Sequence, residues 1–134
     1  MSVYVLDANM ISYILRGQET VINNAMSAIS NGHDIIISPI AYYEVKRGLE
    51  AVGSKKRMRE FIKLYSMLGV GQLDNNVLDT AVDIWVKQKK SGRATGDADI
   101  FIAAFCVNHN FALVTHNTKH FEDVDGLTIT DWCE

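Results

Sequence analysis

Short apolar runs alternate with segments of helical periodicity along this chain, and this alternation restricts its fold more than any other feature. The runs lie at Val3–Leu6, 35–37 and 111–115, with weaker ones at 70–73 and 127–130. Because they are continuously apolar rather than apolar at alternate residues, they are typical of parallel strands covered on both faces by helices. The pattern predicts a three-layer α/β/α sandwich with a central parallel sheet.

The segments between these runs carry helix signals. Ser38 and Pro39 combine an N-cap residue with proline at the first helical position, and the apolar periodicity that follows stops at Gly53. Further helices are predicted at 9–15, 54–65 and 77–90. The final helix, predicted at Asp97–His109, is apolar nearly all round, so we expect it to be deeply buried.

The size and composition of the chain are those of one globular domain. It has 134 residues, of which 48% are hydrophobic and 22% charged, so we expect a single domain over residues 1–134. The opening residues lack a basic and apolar export signal, and no run approaches the roughly 18 apolar residues of a membrane span. These features predict a cytoplasmic protein with no membrane partner.

Three carboxylates are predicted to meet at the carboxyl edge of the sheet, where ligands bind in folds of this class. Asp7 ends the first strand and Asp99 lies in the opening turn of the last helix. Glu44 lies about a turn and a half into the helix after Ser38, and its side chain leans back toward the same edge. Such carboxylates repel one another unless they share a cation, and oxygen ligands suit Mg²⁺ or Mn²⁺. The arrangement predicts metal-dependent phosphodiester hydrolysis.

Each acid also has a structural explanation when it is taken alone. Asp7 could only cap the first helix, and Asp97 is most simply the N-cap of the last one. Asp99 could only complement the helix dipole, and Glu44 could be a rim residue. The hypothesis of a metal site therefore depends on the joint placement of these side chains.

The basic residues are clustered, although the net charge of −3 argues at first against a nucleic-acid partner. Of 13 Lys and Arg residues, seven lie in 46–63 and four in 87–93. These clusters could be solvated helix faces or patches that bind the phosphates of a nucleic acid. The candidates for phosphate contact are Lys46, Arg47, Lys55, Lys56, Arg57, Lys89, Lys90 and Arg93.

Four motifs, taken together and in order, are specific. They are Val5-Leu6-Asp7-Ala8-Asn9, Ser38-Pro39-Ile40 followed by Glu44, Asp99-Ile100-Phe101-Ile102-Ala103-Ala104, and Thr115-His116-Asn117. With them the chain resembles the PIN-domain ribonucleases, and more narrowly the VapC toxins of bacterial and archaeal toxin–antitoxin pairs. The resemblance implies that Asp7, Glu44 and Asp99 hold Mg²⁺ or Mn²⁺ and cleave RNA. It also implies a catalytic role for Asn117 and supporting roles for Asn9, Thr115 and Asp97.

The resemblance has one departure and several further implications. Asn117 stands where many family members carry a fourth acid, which leaves open whether one or two ions act. The closing pattern from Thr115 to Trp132 is similar to the VapC subgroup that cleaves initiator tRNA in its anticodon loop, which implies a tRNA substrate. The resemblance also implies a VapB-type antitoxin that threads over the acidic site, often with an inserted Arg, and a homodimer.

Two rival functions fit the same residues. A catalytically silent PIN-like module could bind RNA or an antitoxin, and a DNA nuclease or a phosphatase could use the same metal chemistry. His116 and His120 stand four residues apart as in some zinc sites. No Cys or acid completes a set of recognised spacing with them, which favours a pair of surface histidines.

Overall fold

Four strands form a parallel sheet in the computed structural model, which describes residues 2–93 and 95–134. In the sheet register Val5 lies opposite Ile36 on one side and Leu113 on the other. The predicted parallel sheet is confirmed, and the carboxyl ends of all four strands meet at one edge. The strand order is β2-β1-β3-β4, with β1 at Val3–Leu6, β2 at Asp34–Ile37, β3 at Ala112–Val114 and β4 at Thr128–Thr130.

Helices cover both faces of this sheet, as the three-layer prediction requires. The first four pack on one face and the last two on the other. Within the ranges described above, none of them is long and apolar enough to cross a membrane. They are α1 (Ala8–Leu15), α2 (Glu19–Ser30), α3 (Pro39–Val52), α4 (Lys55–Leu68), α5 (Asn75–Ser91) and α6 (Asp97–His109).

The two faces of each inner strand belong to different apolar cores. Val5 and Leu113 pack against α5 and α6, whereas their neighbours Leu6 and Val114 pack against α1 to α4. All four side chains are fully buried. This double burial is why the strands are continuously apolar in the sequence, and it fixes the register of the strand ends that carry polar residues.

Helix α3 starts and stops where its sequence signals predict. The Ser38 hydroxyl accepts hydrogen bonds from the backbone N–H groups of Ile40 and Ala41, at 3.2 and 3.4 Å. The helix ends at Gly53, whose φ of 76° is the left-handed conformation that glycine adopts without a steric penalty. Because Ser38 follows β2 directly, α3 begins at the carboxyl edge and carries Glu44 beside it.

Two elements differ from the sequence prediction. Helix α2 has no signal at its start, because its N-cap residue Gln18 makes no side-chain hydrogen bond to the helix. The run at 70–73 is not a strand, and only Val70 makes an isolated bridge, to Ile37. At Gly71, whose N–H still donates to the Ile37 carbonyl at 2.9 Å, a Cβ would collide with the ring of Phe105.

Candidate active site

Asp7 is the buried centre of the polar cluster at the carboxyl edge of the sheet. It follows β1 directly and is only 7% exposed. One carboxylate oxygen accepts a hydrogen bond from the Ala8 N–H at 2.7 Å, and the other accepts one from the Thr115 hydroxyl at 2.8 Å. Asp7 therefore does cap α1, as its structural explanation predicted, but its second oxygen is directed toward β3 and the other acids.

The electrostatic environment of Asp7 disfavours its charged form. Burial raises the pKa of its carboxyl above the ordinary value, and the neighbouring Asp99 raises it further. The hydrogen bonds from Thr115 and Ala8 act in the opposite direction but do not cancel this effect. A buried carboxylate whose pKa is raised by a second acid is the arrangement that a cation would stabilise.

Glu44 and Asp99 are the other two carboxylates near Asp7. Glu44 is half-buried on α3. Burial is the largest cause that raises the pKa of its carboxyl; the charges of Asp7 and Asp99 raise it further, and the charge of Arg47 lowers it. Asp99 lies in the first turn of α6, as predicted, and its carboxylate is 3.2 Å from Nδ1 of His120. We call Asp7, Glu44 and Asp99 the acid cluster, since the charge of Asp99 raises the pKa of Asp7 and the charges of both raise the pKa of Glu44.

The prediction that Asp97 caps α6 is wrong. Gly96 occupies the N-cap position and contributes no side-chain hydrogen bond, so Asp97 is the first helical residue and Asp99 the third. Asp97 is exposed at the surface. The two carboxylates supply negative charge to a helix start that has no capping side chain.

Thr115 joins the acid cluster to the end of β3. Its buried hydroxyl donates to Asp7 and accepts the backbone N–H of Asn117 at 3.1 Å. Asn117 thus has its backbone fixed beside the site, and its side chain is exposed. Asn9 is half-buried in the first turn of α1 and makes no side-chain hydrogen bond to the residues that the structure describes.

His120 is a site residue that sequence reasoning missed. It lies in a 3₁₀ turn at Thr118–His120, and it contacts Asp99 across the site rather than pairing with His116. His116 instead lies 3.0 Å from Asp131. Both side chains are exposed, as expected for surface histidines, and each contacts a different acid. Phe121, which follows His120, is buried in the core that includes α5 and α6.

The donor set of the acid cluster suits a hard divalent cation. Its ligand atoms are carboxylate oxygens alone, which Mg²⁺ and Mn²⁺ prefer. Asp7 and Glu44 have raised pKa values, first because they are buried and then because other acids lie near them. The three acids do not form a group whose oxygens all lie within 4.8 Å of one another. Mg²⁺ keeps several waters in proteins, so such a spread fits an ion that is held partly through water.

A groove of about 530 Å³ runs from Glu44 between α1 and α3 to the start of α4. Its walls include the apolar side chains of Leu15, Val45 and Leu49, and its far end is basic. There the guanidinium of Arg57 donates to the backbone carbonyl of Leu15 at 2.7 Å. The groove therefore connects an acidic end, an apolar middle and a basic end.

The predicted basic residues form two different groups in the structure. Lys55, Lys56 and Arg57 are exposed in the first turn of α4, and we call them the α4 patch. Lys89 and Lys90 occupy the last turn of α5. Several of the candidates have partners within the chain. Besides the bond of Arg57 to Leu15, Lys46 donates to the Tyr42 hydroxyl and Arg93 pairs with Asp123. Arg47 and Lys89 lie over the rings of Tyr43 and Trp85.

Comparisons with known proteins agree with this fold and arrangement. The model of the PIN domain family matches residues 4–127. Ribonuclease VapC1 of Haemophilus influenzae (strain R2866) is 27% identical over 131 residues, which cover 97% of this chain and 98% of the relative. The tRNA(fMet)-specific endonuclease VapC of Shigella flexneri is 25% identical over 130 residues, which cover 96% of this chain and 97% of the relative.

A solved structure gives the same picture in three dimensions. VapBC-1 from nontypeable Haemophilus influenzae has a TM-score of 0.85 and 27% identity, covering 98% of this chain and 99% of that one. The match includes all the strands and helices that bring the acid cluster together. The chain therefore belongs to the PIN domain family, and its resemblance to the VapC ribonucleases extends over nearly its whole length.

Proposed function

We propose that this chain is a metal-dependent endoribonuclease, the toxin of a toxin–antitoxin pair, and that it cleaves RNA at the acid cluster. The observation that carries this proposal is the buried carboxylate of Asp7, whose pKa is raised by burial and by Asp99. A protein gains nothing in stability from such crowding, whereas a metal-dependent nuclease requires it. The relatives that are named ribonucleases support RNA as the substrate.

Asp7, Glu44 and Asp99 would hold Mg²⁺ or Mn²⁺. A divalent cation bound there supplies a nucleophile at neutral pH by lowering the pKa of water, and it stabilises charge on the oxygen that leaves. The oxygen-only donor set and the raised pKa values of Asp7 and Glu44 support this assignment.

The chain's own residues position these acids. The Ala8 N–H and the Thr115 hydroxyl each hold one oxygen of Asp7, so its carboxylate cannot rotate. His120 fixes the side chain of Asp99 from the opposite side. Glu44 stands where the groove meets the site, so a phosphodiester lying in the groove would pass close to it.

The α4 patch supports a polyanionic substrate better than the α5 residues do. Lys89 and Lys90 lie at a helix C-terminus, where the helix dipole favours positive charge, so a structural role accounts for them. The α4 patch lies at a helix N-terminus with no acid in the first turn, where the same dipole opposes it. Such a placement is explained by phosphate groups that approach along the groove.

We further propose tRNA as the substrate class, with initiator tRNA cut in its anticodon loop as the specific case. The closing pattern from Thr115 to Trp132 and the relative from Shigella flexneri, which is named a tRNA(fMet)-specific endonuclease, support this choice. The test is to incubate the purified protein with total RNA and Mn²⁺ and to sequence the new ends. We expect ends concentrated in tRNA anticodon loops.

The matched control for this experiment is Asp99→Asn, which removes a ligand charge on a nearly isosteric side chain. The variant should leave the RNA intact, as should chelation of Mn²⁺ with EDTA. The rival function, a silent module that binds RNA or an antitoxin, predicts no new ends with either protein and no stabilisation by Mn²⁺. Equal cleavage by both proteins would contradict the assignment of the site.

The groove beside Glu44 is the proposed binding site of a VapB-type antitoxin. Its apolar middle would take a helical segment, and the acid cluster at its end would take a basic side chain such as Arg. Gly48 lines this groove, and a Cβ there would meet nothing within 4 Å. Gly48→Phe should therefore weaken antitoxin binding in a pull-down without lowering the melting temperature. A variant that binds the antitoxin normally would contradict this placement.

A homodimer is proposed through the exposed face of α5. Leu78, Val82 and Trp85 are exposed apolar side chains at helical spacing on this face. Apolar patches of this kind on a soluble protein usually mark an interface. Val82→Glu should convert a dimer to a monomer in light scattering, and an unchanged mass would exclude this face.

A further inference from the structure

A second group of potential metal ligands lies at the same edge of the sheet, past the ends of β3 and β4. A ring nitrogen of His116, a carboxylate oxygen of Asp131 and Sγ of Cys133 all lie within 4.8 Å of one another. No other group of three His, Cys, Asp or Glu ligands in 2–93 and 95–134 is this compact. We call these residues the His–Asp–Cys group.

Contacts around the group fix its members in place. Nδ1 of His116 lies 3.0 Å from one oxygen of Asp131, and the backbone N–H of Cys133 donates to the other oxygen at 2.9 Å. The ring of His116 also packs edge-on against Tyr13 of α1, with 6.3 Å between ring centroids. Because the three side chains already face one another, a ligand would not have to order them first.

The two chain segments that carry the group are anchored independently of it. Thr115, which precedes His116, donates its backbone N–H to Thr130 at 3.0 Å. The side chain of Trp132 is buried, and its carbonyl accepts a hydrogen bond from the Asn24 amide at 2.9 Å. The core and α2 therefore anchor the segment that carries Asp131 and Cys133, in addition to the contacts within the group.

The chemistry of the donors selects the kind of ion. Thiolate and imidazole ligands favour Zn²⁺ over Mg²⁺ or Mn²⁺. Zinc bonds of about 2.0–2.3 Å in a tetrahedron place neighbouring ligand atoms about 3.5 Å apart, which is compatible with the spread of this group. We propose that His116, Asp131 and Cys133 form a Zn²⁺ site, separate from the acid cluster, that ties the C-terminal segment to the end of β3.

The test is a titration of the full-length, chelator-treated protein with Zn²⁺ in competition with a chromogenic chelator, repeated with Co²⁺ to detect thiolate ligation by its charge-transfer absorption. We expect one equivalent of tightly bound Zn²⁺ and a Co²⁺ spectrum with a thiolate band. Cys133→Ser and His116→Asn should each weaken Zn²⁺ binding by at least about 100-fold, since even residues behind a metal ligand cost 10- to 100-fold.

Three controls keep the outcome specific. His109→Asn changes an exposed histidine outside the group and should bind Zn²⁺ normally, and so should Asp7→Asn/Asp99→Asn, in which the acid cluster is disabled. Cys133→His supplies another zinc ligand, so it should retain Zn²⁺ binding and lose the thiolate band. The proposal is overturned if the unmodified protein binds no stoichiometric Zn²⁺, if Cys133→Ser binds it equally well, or if Asp7→Asn/Asp99→Asn abolishes binding.

Discussion

The acid cluster and the His–Asp–Cys group lie at the same edge of one sheet, yet they differ in donor atoms and in burial. The acid cluster offers only oxygen, and its central residue Asp7 is 7% exposed. The second group offers nitrogen, oxygen and sulfur, and the side chain of His116 is 53% exposed. Thr115 and His116 are adjacent in the sequence, so the segment that follows β3 contributes a residue to each site.

This difference in donor chemistry would separate the two proposed functions, which share one edge of the sheet. Carboxylates crowded without a softer ligand suit a cation that is completed by water and phosphate, which is what hydrolysis of RNA requires. A set that includes a thiolate suits an ion with a structural role. The two groups should therefore respond to different metals and to different substitutions, which can be measured.

The largest expected difference between the groups is in RNA cleavage. Asp99→Asn should lower the rate by more than about 100-fold, because it removes a charged ligand and even residues behind a ligand cost 10- to 100-fold. Cys133→Ser should leave the Mn²⁺-dependent rate unchanged. The measurement is the initial rate on tRNA at saturating Mn²⁺. A similar loss in both variants would mean that the two groups are not separate.

Thr115→Val tests whether the buried hydroxyl positions the acid cluster. Removing it leaves one oxygen of Asp7 without its hydrogen bond at 2.8 Å, so the affinity for Mn²⁺ should fall by about 10- to 100-fold. Zn²⁺ binding at the His–Asp–Cys group should not change. Thr128→Val, at an exposed position on β4, is the matched control for the loss of a hydroxyl. Unchanged Mn²⁺ affinity in isothermal titration would exclude this role.

Asp7→Asn tests the electrostatic cost of the acid cluster without metal. The pKa of Asp7 is raised in the folded protein, so its carboxyl keeps its proton to a higher pH there than in the unfolded chain. The folded state therefore loses stability as the pH rises from the ordinary pKa of Asp to the raised pKa of Asp7. Above this range Asp7→Asn should raise the melting temperature in EDTA by a few degrees, at about 4 °C per kcal/mol. Asn can keep both contacts, accepting from Ala8 and donating to the Thr115 hydroxyl.

The same substitution should have little effect at a pH below the ordinary Asp value, where the carboxyl is protonated in both states. Cys133→Ser should not raise the melting temperature in this way. The nearby carboxyl, that of Asp131, has a lowered pKa, so its charge does not destabilise the folded state at neutral pH. Melting curves of both variants across pH measure this contrast. A destabilised Asp7→Asn protein in EDTA at neutral pH would contradict the electrostatic account.

The smallest expected effect concerns the basic residues that contact RNA bound at the acid cluster. Lys55→Gln/Lys56→Gln should reduce the dependence of RNA affinity on salt by roughly one unit of log–log slope for each phosphate that the protein no longer neutralises. Lys89→Gln/Lys90→Gln removes the same charge from a helix end where the dipole favours it, and it should have a smaller effect. Binding at several salt concentrations gives both slopes. Equal slopes for all three proteins would exclude the α4 patch.

The fold was predictable from the sequence wherever a local signal agreed with burial. The bounds of α3 followed from Ser38, Pro39 and Gly53, whose side chains or φ values act on their own helix. Helix α2 was missed because Gln18 does not cap it and few of its side chains are buried. The strand expected at 70–73 is reduced to an isolated bridge between Val70 and Ile37. The close approach of Phe105 to Gly71 is a tertiary contact that has no local signal in the sequence.

The candidate sites were predictable to different degrees for the same reason. Asp7 and Asp99 adjoin buried elements with strong patterns, so their position at the edge could be inferred. The contact of His120 with Asp99 depends on how the 3₁₀ turn folds back, and the apposition of His116 with Cys133 depends on β4 pairing with β3. Neither depends on spacing along the chain.

The most direct test of the acid cluster is a crystal structure of the protein soaked with Mn²⁺ in which the ion is located by its anomalous scattering. We expect the manganese peak at the acid cluster, with the carboxylate of Asp7 or Asp99 coordinated directly and Glu44 bound directly or through water. A protein that leaves this position empty at saturating Mn²⁺, or that binds Mn²⁺ only at the His–Asp–Cys group, would contradict the proposed reaction.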